Sequence, residues 1–117
     1  MLGVALLKIP VSELAPSADF YRSALGLEPA FVAEEFGWAQ LEGASVGIAL
    51  YVPGKGGGMR TPGGSVDFHL WTNDLDPLFE RVREATETAA IYQNDEGSRS
   101  LEFQDLDGNT MKIMERG

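Results

Sequence analysis

His69 is the only histidine in this chain of 117 residues, and Asp67 precedes it by two. On a strand, residues two apart point to one face, and Trp71 continues the same row. A carboxylate beside an imidazole can hold a metal ion or pass a proton. The pair can equally be polar lining of a cleft with no chemistry of its own. Nothing in the sequence extends it to a catalytic set. Ser65, Ser98 and Ser100 have no histidine at a recognisable spacing. Gly54 to Gly58 encloses Lys55 but leads into no helix, so it is not a phosphate-binding loop. The chain has no cysteine, which excludes a thiolate metal site, a cysteine nucleophile and a disulfide framework.

A second group of residues suits binding better than bond-making. Trp38, Tyr51 and Trp71, with Phe36 and Tyr92, fall on expected strands or turns. Glu102 and Gln104 alternate on one strand face. Inward aromatics with a few polar groups make a small-molecule pocket, and indole faces among surplus carboxylates suit a flat or cationic ligand. Acidic residues number 18 against 9 basic, for a net charge of −9. That balance argues against nucleic acid as a partner, because phosphate binding needs clustered Lys and Arg. No apolar run approaches the roughly 18 residues of a membrane span. Met1 to Pro10 is interrupted by Lys8 and reads as a strand and not as a signal peptide. A soluble, cytoplasmic protein is expected, with no membrane partner.

The elements that must position these residues occur twice. At an offset of 61, Asp74-Leu75-Asp76-Pro77 lies on Glu13-Leu14-Ala15-Pro16, so an acidic-Leu-x-Pro element starts a helix in each half. In the first half, Leu2 to Val11 reads as a strand and Pro16 sits in the first turn of the helix. Phe20, Tyr21, Ala24 and Leu25 fall on one helical side, and Gly26 is the stop. Strands follow at Pro29 to Ala33, Phe36 to Leu41 and Val46 to Val52. Pro53 to Gly64, PGKGGGMRTPGG, has no periodicity and reads as a linker that could cover a site.

In the second half, Val66 to Trp71 is the strand, with Asp76 as N-cap and Pro77 as the first helical residue. Leu75, Leu78, Phe79 and Val82 repeat at helical spacing. Ala89 to Gln93, Arg99 to Gln104 and Thr110 to Glu115 are strands, the last two a hairpin around Asp107-Gly108-Asn109. The expected fold is α+β: two tandem βαβββ modules, about 2–52 and 65–117 of a single 1–117 domain, forming a curled mixed sheet around a cleft.

This order, with Val11-Ser12-Glu13-Leu14, Phe20-Tyr21, Leu25-Gly26-Leu27, Asn73-Asp74-Leu75-Asp76 and Asp105-Leu106-Asp107-Gly108-Asn109, resembles the vicinal oxygen chelate superfamily. That superfamily includes glyoxalase I, extradiol dioxygenases and bleomycin-resistance proteins. The resemblance implies a cleft in which enzymes of the family hold a divalent metal with His and Glu from the first and last strands of each module. Seven residues before the acidic turn residue stand Leu6 and Asp67; seven after Asp105 stands Lys112; the fourth place falls on Gly47. One carboxylate remains among the four. Leu6 cannot ligate, and the Lys112 ammonium repels a divalent cation, can substitute for its charge, and could pair with Asp67. The resemblance therefore points to the metal-free antibiotic-binding members, with no cofactor and no assigned catalytic residue. The expected ligand-binding cleft comprises Trp38, Tyr51, Asp67, His69, Trp71, Glu102 and Lys112. The expected ligand is a planar, partly cationic organic molecule, and the expected assembly is a homodimer. The alternatives are a divalent-metal-dependent lyase, isomerase or dioxygenase of the same superfamily, and a structural or regulatory module without a ligand.

Overall fold

The computed structural model describes residues 1–116. Its elements are β1 (Leu6–Pro10), α1 (Leu14–Leu25), β2 (Glu28–Ala33), β3 (Trp38–Glu42), β4 (Gly47–Tyr51), β5 (Gly64–Ser65), β6 (Leu70–Thr72), α2 (Leu75–Ala85), β7 (Ala90–Gln93), β8 (Arg99–Gln104) and β9 (Asn109–Glu115), with a 3₁₀ turn at Glu34–Phe36. The duplication is real. In module 1 the strands run β1-β4-β3-β2; in module 2 they run β5-β9-β8-β7, with β6 also on β9. The first strand of each module lies parallel to the last. Two mixed sheets result, and they do not close into one around a cleft.

Both helices lie on one side of the sheets, and α1 packs against α2. Ile9, Leu41, Ile48 and Leu50 from the first sheet and Leu101, Phe103, Met111 and Ile113 from the second share one apolar core with them. Phe20 meets Phe103 across the modules at 6.2 Å between ring centroids. Side by side, the sheets and their helix layer make a flat body, 44 × 39 × 23 Å. The opposite face of each sheet carries no helix. By strand alternation it presents Leu6, Lys8, Trp38 and Tyr51 on one sheet and Trp71, Tyr92, Glu102 and Lys112 on the other.

The expected boundaries shift by two residues or more at four places. The first strand starts at Leu6, leaving Leu2 and Val4 exposed outside the sheet. Phe36 belongs to the 3₁₀ turn, which Gly37 ends at φ 57°, so the third strand starts at Trp38. The strand expected over Val66 to Trp71 is broken: Ser65 pairs with Thr110, but Leu70 pairs with Ile113. Five residues on one chain thus span three on the other, a slip of two. Finally, Asp76 is not the N-cap and Pro77 is not the first helical residue. The N-cap is Asp74, and its side chain makes no cap bond.

The missing cap of α2 is supplied from across the molecule. Glu115 Oε2 on β9 accepts from the Leu75 N–H at 3.1 Å. Arg99 holds that carboxylate with two bonds, at 2.9 and 2.8 Å, and reaches Asp76 at 3.0 Å. Arg99 and the Leu75 N–H hold the Glu115 carboxyl below the usual carboxylate range. A depressed folded-state pKa contributes stability above the unfolded pKa and loses it as pH falls through the folded one. Glu115→Gln is therefore expected to lower the urea midpoint at neutral pH, and the gap from wild type should close as pH drops below the carboxylate range. A gap of constant size down to acid pH would show that the bridge does not act through ionised Glu115.

Candidate binding site and family

Trp38 opens β3 on the helix-free face, paired with Ala33 on one side and Tyr51 on the other. A register shift between Pro29 and Phe31 on β2 brings Phe31 opposite Gln40, next to Trp38. Phe36 comes from the 3₁₀ turn, and Lys55 and Gly57 come from the glycine-rich segment. Together they line an open, mostly apolar depression of about 360 Å³. The Trp38 indole donates to Gln40 Oε1 at 3.3 Å, which fixes its ring.

The segment 53–64 lies over the helix-free face of the first sheet. It folds back through a Gly54 N–H to Gly58 C=O bond of 3.0 Å. Gly57 and Gly58 then lie on the rings of Trp38 and Tyr51, so close that a Cβ at Gly58 would sit 2.6 Å from the Tyr51 ring. Lys8 latches this strap by donating to the Gly57 carbonyl, and its ammonium stands 5.4 Å from the Tyr51 ring centroid. Tyr51 is only 2% exposed. It forms the floor under the strap and presents no open surface.

The other expected cleft residues lie elsewhere. His69 and Trp71 line a separate cavity of about 450 Å³ at the gap between the modules. Glu102 and Tyr92 line a third, of about 230 Å³, on the second sheet. Glu102 is the cross-strand partner of Lys112. Asp67 is 87% exposed at its side chain and bonds Arg60 at 3.5 Å, so the suggested Lys112–Asp67 pair does not form. The broken strand is the reason: β6 register carried one step back sets His69, not Asp67, against Lys112. Of the seven expected residues, then, Trp38, His69, Trp71 and Glu102 are divided among three cavities, and Tyr51, Asp67 and Lys112 line none of them. Phe31 and Lys55 were not among the seven. The bulge that turns Phe31 toward Trp38 left no mark in the sequence, whereas Phe36 was already visible as an aromatic beside the third strand.

The positions that would carry metal ligands do not fit a divalent ion. Leu6 and Gly47 are direct partners and offer no donor. Lys112 brings an ammonium, and Asp67 is turned to Arg60. Among the described residues, no three His, Asp or Glu side chains converge.

The Asp105-Leu106-Asp107-Gly108-Asn109 motif is structural. Asp105 is buried and accepts from the Tyr21 hydroxyl at 2.7 Å, the Asn109 amide at 2.8 Å, and the backbone N–H of Asp107 and Asn109. Burial, then Asp105, pushes the Tyr21 phenol well above its ordinary pKa, so it stays a donor. Asn109 also donates to the Pro10 carbonyl at 2.8 Å and accepts from the Gly63 N–H at 2.8 Å. One turn therefore locks α1, β1 and the strap to module 2.

Two βαβββ modules with helices on one side and helix-free sheets on the other define a glyoxalase-like class of fold. Residues 3–113 match the Glyoxalase/Bleomycin resistance protein/Dioxygenase superfamily, and the chain belongs to it. A glyoxalase/bleomycin resistance/dioxygenase superfamily member from Sphaerobacter thermophilus is similar over 99% of this chain and 98% of its own, at 26% identity and a TM-score of 0.80. A lactoylglutathione lyase from Agrobacterium tumefaciens aligns over 97% and 92%, at 19% identity and TM-score 0.81. A glyoxalase/bleomycin resistance protein from Catenulispora acidiphila aligns over 98% and 100%, at 20% identity and TM-score 0.73. At these last identities the likeness is one of fold. No curated protein matches the chain. No described helix is long and apolar enough to cross a membrane.

Proposed function

We infer that this superfamily member is a small-molecule binding protein of the antibiotic-sequestering kind, working without a metal. The observation that carries the reading is the apolar pocket built on Trp38 and roofed by the glycine strap, in a chain whose ligand positions read Leu6, Gly47, Asp67 and Lys112. A ring slides between the Trp38 indole and the Phe31 and Phe36 side chains, where aromatic pairs add about 0.5–1.5 kcal/mol each beyond burial. The only ionisable lining side chain is Lys55. A cationic ligand would thus keep its charge outside the pocket, near exposed Glu34 and Glu35 on the turn that carries Phe36, where the −9 chain attracts it.

Exposed Phe31, Trp71 and Tyr92 on sheets with one helix-free face, with exposed Phe36 on the 3₁₀ turn beside them, support a homodimer that covers part of them. One experiment addresses both points. EDTA-treated protein, shown by light scattering to have the dimer mass at tens of micromolar, is titrated with bleomycin-like, mitomycin-like and aromatic amine compounds while tryptophan emission is followed. Quenching that saturates, and that weakens about tenfold in Trp38→Ala, is expected. A monomer mass refutes the dimer; hits whose affinity ignores Trp38→Ala refute the pocket.

A further inference from the structure

A second cavity is larger than the Trp38 pocket. It opens where the edges of β1 and β6 diverge, about 450 Å³ in volume, walled by Leu7, Leu25, Leu27, Leu70, Leu78 and Ile113. These are helix-side residues of both modules, and His69 and Trp71 join them from the helix-free side, so the space runs through the gap between the sheets. It is of a size that holds small organic molecules, which occupy cavities of about 300–1,000 Å³ and favour module junctions.

A second observation comes from the backbone. The slip of two between the β5 and β6 pairings on β9 sets His69 and Trp71 into the wall of this cavity. Strand irregularities of this kind re-aim side chains and gather beside functional sites. Without the slip, the ladder would bring different residues to the gap.

The third observation is charge. No Asp or Glu lines the cavity. The Arg116 guanidinium lies 4.5 Å from the ring centroid of Trp71, a lining residue, and the Arg116 backbone N–H donates to the Thr72 carbonyl at 2.8 Å. The neighbouring Glu115 is held by Arg99 and does not compete for it. A guanidinium stacked on an indole keeps its in-plane N–H fork free for a carboxylate.

We propose that this junction cavity is a second binding site, for a small hydrophobic carboxylate. The apolar tail lies among the leucines, and the carboxylate meets Arg116 and His69 beside Trp71. The site is independent of the Trp38 pocket and stands or falls separately from it.

Calorimetric titration of the intact protein with octanoate, and in parallel with 1-octanol, tests this. Octanoate should bind one per chain, about tenfold or more tighter than octanol, because a charge-assisted hydrogen bond contributes about 1.5–3 kcal/mol. Arg116→Ala should remove that preference and leave octanol binding as it was. Leu78→Trp fills the cavity and should abolish binding of both. Ser45→Trp, on the exposed turn at the cavity's edge, should do the same without touching the core should Leu78→Trp fail to fold. No octanoate binding, equal affinity for octanol, or binding unchanged in a folded Leu78→Trp or in Ser45→Trp overturns the proposal.

Discussion

Replacing Asp105 by alanine is expected to destabilise the protein by about 3 kcal/mol or more, a large share of the roughly 5–15 kcal/mol that holds a domain of this size folded. The reason is the number of donors left behind. The Tyr21 hydroxyl, the Asn109 amide and two backbone N–H groups all lose their acceptor, and Tyr21, Asp105 and Asn109 are buried. Each buried donor without a partner costs about 1–3 kcal/mol. Tyr21→Phe removes one donor and leaves the other bonds, so it should cost about 1 kcal/mol. Urea melts of both variants check the order. Equal losses would mean that the bond to α1, not the carboxyl's bonds within the turn, carries the stability. Because this one side chain ties α1 to β9, Asp105→Ala should also lower the cooperativity of unfolding between the modules.

Gly58→Ala is the second large effect, expected at about 1–3 kcal/mol from overpacking alone. The added methyl would stand 2.6 and 2.7 Å from Tyr51 ring carbons and 3.0 Å from its hydroxyl. That ring is fixed in the sheet and nearly inaccessible, so the strap must move instead. A lifted strap uncovers Trp38. In a Trp71→Phe background, where Trp38 is the sole indole, acrylamide should quench emission more strongly in Gly58→Ala than in the parent. Lys8→Ala, which removes the latch to the Gly57 carbonyl, should act in the same direction with a smaller effect on stability. Unchanged quenching in both variants would show that the strap does not close the pocket.

The modular plan was legible because its signals are local. The acidic-Leu-x-Pro starts, the Gly26 stop and the Asp107-Gly108-Asn109 turn each act within a few residues, and each sits where its chemistry places it. The helix caps were misread because they are not local: Glu115 reaches Leu75 from 40 residues away and displaces any need for Asp76 at the cap. The row Asp67, His69, Trp71 rested on unbroken alternation; the strand is broken between Ser65 and Leu70, and Asp67 falls outside the cavity that His69 and Trp71 still share. Such slips answer to how β5 and β6 each pair with β9, which neither strand encodes alone. For the pocket, Trp38, Tyr51 and Phe36 were visible as aromatics. That Tyr51 would become a floor under glycines depended on where the strap landed, and Phe31 depended on a bulge at Pro29. The Asp105 motif was visible as a family mark and a turn, but its bond to Tyr21 spans 84 residues.

The central claim is a ligand site that works without a metal, and elemental analysis of the purified protein, followed by titration with Zn²⁺, Mn²⁺, Fe²⁺ and Ni²⁺, tests it most directly. The account predicts less than one bound metal per chain, no saturable uptake on titration, and organic-ligand binding that survives EDTA. One metal per chain, bound with an affinity that His69→Ala abolishes, would contradict it.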